Sequence, residues 1–238
     1  MKLNNKYIIG THIMFYEIDM VGEHIDSIIN AVQDIDNPEN VTVKLLLNKS
    51  EYFERINIEQ LTDKQLTDKY NDLISRLSQS GVTLDCNTYS DNKPLTMVDF
   101  RRDLNYYGCR DNDFVIWGES DCLMPAETFQ TLEQLKEYTN SQNIHRYITT
   151  FAVRKMWDDS WKPLEHPEMT DKPLHPRTLP DGSLNPVAFS EPYSISYTMS
   201  IEEMNAINDK ADDVEILTLN APKFDGSGLV ISSDLIKA

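Results

Sequence analysis

The sequence predicts an α/β protein with a mostly parallel central sheet flanked by helices, and three observations carry that expectation. Strand-like and helix-like patterns alternate four times before about residue 140, the signature of parallel strands joined by crossover helices. Each strand-like stretch is short, apolar and bounded by polar turns, as suits strands covered on both faces. After about residue 144 the chain changes character, becoming β-branched, aromatic and rich in proline. Residues 1–143 and 144–238 are therefore read as an α/β half and a more β-rich, Pro-rich half of one continuous domain.

The first strand is expected at residues 7–15 (Tyr-Ile-Ile-Gly-Thr-His-Ile-Met-Phe), with Tyr16 and Glu17 at its carboxyl end. Ile25, Ile28, Ile29 and Val32 recur at helical spacing and mark a helix over 22–34. Residues 41–47 form the second strand, followed by Asn48-Lys49-Ser50. Leu66, Tyr70, Leu73, Ile74 and Leu77 mark the next helix, with Gly81 placed to end it. Val82–Cys86 is the third strand. Thr96 is a cap for a helix carrying Met97, Phe100, Leu104 and Tyr107, with Gly108 as its stop. Arg101 and Asn105, four apart, share a face of that helix.

Phe114 to Trp117 reads as a fully buried fourth strand, and Pro125 opens the helix of Phe129, Leu132 and Leu135. Further on, 145–153, 193–199, 214–219 and 229–231 are strand-like, and Ser200 with Glu203 has capping-box spacing. Seven of the eleven prolines fall in 163–192, a long loop of the kind that serves as a lid or a binding wall.

Composition narrows the partners. With 39 acidic against 22 basic residues the net charge is −17, and Arg101-Arg102 is the densest basic pair. Such a surface disfavours stable binding to a nucleic-acid backbone. Cys86, Cys109 and Cys122 lack metal-ligand spacing and lie in or beside apolar runs, which reads as buried free thiols in a reducing compartment. The amino terminus lacks a signal pattern, and no apolar run approaches a membrane span, so a cytoplasmic location is expected.

The stretch Asp113 to Pro125 carries the chemistry. Two carboxylates, Glu119 and Asp121, follow the fourth strand at its carboxyl end, where open α/β sheets bind ligands. A carboxylate pair there suits a divalent cation, Mn²⁺ or Mg²⁺, carrying phosphates. Asp121 is the direct ligand; Glu119 binds through water or orients a ribose hydroxyl. Arg101, with Asn105 beside it, suits phosphate contact through its forked donors, and Tyr16 at the same sheet edge suits base stacking. His145, His166 and His175 are alternatives for a third metal ligand. Asp158-Asp159, between Trp157 and Trp161, reads as a hairpin turn with two exposed acids.

A first strand ending in Phe-Tyr-Glu, then a helix, a strand with a short polar turn, and an acid-x-acid pair after a hydrophobic strand: this order resembles the GT-A glycosyltransferases of the family 2 type over about the first 140 residues. The resemblance implies a metal-dependent enzyme that passes a sugar from a nucleoside-diphosphate sugar to an acceptor hydroxyl. It implies nucleotide contacts from Tyr16 and Glu17, a base contact at Asn48 where the family carries Asp, and diphosphate contacts from Arg101 and Asn105. Glu119-Ser120-Asp121 stands where the family's Asp-x-Asp holds the metal, with Glu for the first Asp. Phe224 to Ile231 is similar to the Gly-rich acceptor segment, which makes Asp225 the candidate base. The two halves then become a nucleotide-sugar side and an acceptor side. Two rivals are a nucleotidyltransferase and a binding module that kept the fold without the chemistry. The first wants a Gly-rich basic loop, whereas residues 10–24 hold only Gly10 and Gly22 and no Lys or Arg.

Overall fold

A computed structural model describes residues 1–50, 61–91, 93, 95–120, 122–150 and 228–238. They belong to one compact unit, to which the carboxyl-terminal residues return. Strands β1 (Tyr7–Met14), β2 (Val41–Asn48), β3 (Thr83–Tyr89), β4 (Phe114–Gly118), β5 (Ile148–Thr150) and β6 (Leu229–Ser232) form one sheet in the order β3-β2-β1-β4-β6-β5. The first four are parallel; β6 runs antiparallel to both β4 and β5. The expected fold class is thus observed, a six-stranded, mostly parallel sheet flanked by helices.

Burial explains the arrangement. Every residue of central β1 is buried. Its Tyr7, Ile9 and Ile13 join Val41, Val43, Leu45 and Leu47 of β2 in the larger core, beneath α1 (Val21–Val32), α2 (Asp63–Gln79) and α4 (Thr128–Ser141). On the opposite face Ile8 and Val115 meet Phe100 and Leu104 of α3 (Met97–Asp111), and Ile236 of the short α5 (Ser233–Ile236) packs beside them. Among the described residues no helix is long and apolar enough to cross a membrane. Cys109 and Cys122 are buried, whereas Cys86 is only half-buried.

The caps follow the sequence closely. Thr96 Oγ1 accepts the Asp99 amide and Asp99 Oδ2 accepts the Thr96 amide, a reciprocal box. Gly81, at φ 82°, ends α2 in the left-handed region that glycine tolerates best.

Two glycine and proline expectations need correcting. Gly108 does not stop α3, which runs on to Asp111. It is there for packing, since a Cβ at that position would lie 2.9 Å from Ile8 Cγ2. Pro125 does not open α4 either; its carbonyl accepts the Thr128 amide and hydroxyl, so it sets up the turn before the helix.

A similar close approach exists at Gly10, where a Cβ would press on the δ carbons of buried Leu104. Gly10→Ala is expected to cost about 2 kcal/mol in urea unfolding, because α3 cannot sit as close to β1. Unchanged stability would mean that α3 is free to shift.

Candidate functional site

The carboxyl ends of β1, β2 and β4 form one lip of the sheet, since Met14 pairs with Asn48 and Thr11 with Gly118. Arg101 and Asn105 of α3 reach this lip from one face. Arg101 makes an ion pair with Glu119, their side chains 22% and 13% exposed. Its guanidinium also lies 4.5 Å from the centre of the Trp117 ring, a cation–π contact. Asn105 Oδ1 accepts the Trp117 indole N–H at 2.9 Å. The four residues therefore form one cluster, with Trp117 as its floor. Helical spacing places Arg101 and Asn105 on one face; the sequence reading missed that Trp117 is what they share.

The loop after β4 is held from several sides. Glu17 lies in a 3₁₀ turn, Phe15–Glu17, directly after β1. Its Oε2 accepts the Met14 amide at 2.9 Å and the Ser120 hydroxyl at 3.1 Å. From α1, His24 Nδ1 lies 2.6 Å from the Cys122 carbonyl oxygen. Because that oxygen can only accept, Nδ1 carries the proton. In the neutral ring Nε2 then accepts from the Thr11 hydroxyl at 3.0 Å. One turn on, Ser27 Oγ accepts the Met124 amide at 2.9 Å. Gly118 makes room for this, as a Cβ there would lie 2.6 Å from Thr11 Oγ1. The signal in the sequence was a histidine on an otherwise apolar helix stripe, four residues before Ile28.

Asn48 is fully buried. Its amide donates to the Leu95 carbonyl and to His12 Nε2, and its oxygen accepts the Ser50 amide. These bonds tie the turn after β2 to the segment leading into α3. His12 is 2% exposed. Among the described residues its Nδ1 has no hydrogen-bond partner. Burial first, and then the nearby Arg101 charge, lower its pKa to about 4, so the ring is neutral near pH 7. Tyr16 is half-buried, edge-on to Phe15 at 5.3 Å between ring centres. Burial and the Glu17 carboxylate raise its phenol to about 12.

Asp121 and Asp225 lie outside the described residues, as do His166, His175, Asp158-Asp159 and the 163–192 loop. His145 is exposed and contacts Asn143 Oδ1 at 3.1 Å. Among the described residues no three His, Cys, Asp or Glu side chains gather to hold a metal. A groove of about 520 Å³ lies elsewhere, at the amino ends of the strands, with Lys6, Thr42, Thr83 and Tyr107 in its walls. The Arg101–Glu119 cluster and the pinned loop lie at the opposite, carboxyl-end lip.

No family model and no curated protein matches this chain. Among the solved structures to which it is similar are two from S. aureus. The first is S. aureus TarS 1-349, at 14% identity, covering 85% of this chain and 49% of that one, with a TM-score of 0.38. The second is S. aureus TarS, at 13% identity, covering 84% and 29%, with a TM-score of 0.37. The chain spans about half or less of the length of these structures.

Proposed function

We propose that the lip binds a nucleoside-diphosphate sugar and that the protein transfers the sugar to an acceptor hydroxyl. What supports this reading is the Arg101–Glu119 cluster at the carboxyl end of β4, beside the central strand of a parallel sheet. Arg101 is mostly buried, so its fork is held by Trp117 and Glu119 before any ligand arrives. A guanidinium fixed in this way matches a diphosphate without losing much side-chain freedom.

The pairing also divides the work between the two acids. A carboxylate already neutralised by Arg101 is a weak direct metal ligand, so Glu119 fits a ribose hydroxyl or a metal-bound water. Asp121 is then the residue to hold Mn²⁺ or Mg²⁺, which would neutralise charge on the departing nucleoside diphosphate. Tyr16, a phenol that keeps its proton, suits the flat face of a base. Glu17 and Asn48 act one step back, fixing the Ser120 and Ser50 turns. In the transfer, the bond from the anomeric carbon to the diphosphate oxygen breaks and one to the acceptor oxygen forms. The acceptor proton passes to a carboxylate base, for which Asp225 is the candidate.

The test is a thermal-shift screen of sugar nucleotides with and without Mn²⁺, followed by assay of nucleoside diphosphate release. A metal-dependent rise in Tm for one sugar nucleotide, with release of its diphosphate, is expected. No shift with any sugar nucleotide would sink the reading. A shift without turnover would favour a binding module, which the closed Arg101–Glu119 pair also suits.

A further inference from the structure

We propose that His24 is a positioning residue for the loop after β4, fixing through one main-chain carbonyl the geometry of Glu119 at the head of that loop. This rests on the reading of that loop as the donor-binding one. His24 is 2% exposed, yet it stands on the apolar stripe of α1 among Val21, Ile25 and Ile28. A leucine would fill that space without leaving polar atoms to satisfy. The imidazole does what an apolar side chain cannot. Through Nδ1–H it holds the Cys122 carbonyl, and through Nε2 it is braced on the Thr11 hydroxyl of the central strand.

The contact falls where the loop needs it. Glu119 and Ser120 are held from the α3 side and from the turn after β1, by Arg101 and Glu17. His24 and Ser27 hold Cys122 and Met124 from α1. Within the loop, the Cys122 amide also closes on the Glu119 carbonyl at 3.1 Å, so moving Cys122 moves the backbone of Glu119. Thr11, the brace, is fully buried on β1 beside Gly118. The imidazole thus links the rigid centre of the sheet to the chain segment that presents Glu119, and a shift of even an ångström there weakens a preorganised site.

Two variants separate this from simple packing. In His24→Asn the side-chain amide nitrogen falls near the Nδ1 position and keeps the donor to Cys122. In His24→Gln the terminal amide falls near Nε2 and keeps only the Thr11 side. Each loses one buried hydrogen bond, so both are expected to lower Tm to a similar degree. Amide exchange at Cys122 and Met124 should quicken about tenfold in His24→Gln and stay within about twofold of the parent in His24→Asn. The Kd for UDP in the presence of Mn²⁺ should follow the same split, rising about tenfold only in His24→Gln. Equal exchange in the two variants, or no change in either, would overturn the proposal. If the parent protein binds no UDP while the exchange split holds, the loop anchor stands and the donor-site reading fails.

Discussion

Arg101→Met is expected to lower stability by about 3 kcal/mol in urea unfolding and to abolish the proposed diphosphate binding. The first effect comes from Glu119, whose side chain is only 13% exposed. Without the guanidinium its carboxylate sits largely desolvated and unpaired, a loss worth about 3–5 kcal/mol for a fully buried pair and somewhat less here. Trp117 also loses the cation above its ring. Adding Glu119→Gln in the same chain should recover about 2 kcal/mol, because an amide needs no counter-charge. A double-mutant cycle gives the coupling directly. A coupling near zero would mean that the pair is a solvated surface contact, and the division of labour proposed for Glu119 and Asp121 would go with it.

Acid should destabilise the protein through His12. The imidazole pKa is lowered from 6.5 to about 4 in the folded chain, by burial first and by Arg101 second. A group whose folded pKa lies below its unfolded value binds its proton more readily in the unfolded chain. Its contribution is therefore intact above about pH 6.5 and is lost as pH falls toward 4. Linkage gives a loss of about 2 kcal/mol by pH 5 and about 3 kcal/mol by pH 4. Geometry gives the same sign. A proton on Nε2 would face the N–H of Asn48, whose amide is fixed by the Leu95 carbonyl and the Ser50 amide. From α3 the Arg101 charge repels a proton on the ring, which packs tilted against Phe100 at 5.6 Å between centres. In His12→Met this part of the acid dependence should vanish, at a cost of about 1 kcal/mol near pH 7.5 from the lost hydrogen bond. An acid profile identical to the parent's would show that His12 does not titrate as argued.

What could be read from the chain divides along physical lines. The four parallel strands and their helices were legible because each side chain's burial repeats with the period of its element, as Ile25, Ile28 and Val32 do on α1. Thr96 and Gly81 were legible because a cap is a local event. Gly108 was misread because the same residue serves a helix end and a close helix–strand approach, and only the neighbour Ile8 decides between them. At the lip, Arg101, Asn105 and Glu119 were legible as candidates, and the structure brings them together around Trp117. His24, Ser27 and Thr11 were not, because their roles depend on contacts between segments far apart in sequence. The side chains of Asn48 and Glu17 are at the lip too, but both are engaged with neighbouring turns.

The place of β6 has a consequence for biosynthesis. Its residues Leu229–Ser232 seal the flank of β4, whose own residues emerge from the ribosome much earlier. Until Leu229 is made, Phe114 to Gly118 present an unzipped hydrophobic border to the cell. Nascent chains are thus expected to lean on chaperones during that interval, and translation pauses before β6 should raise the yield of aggregates.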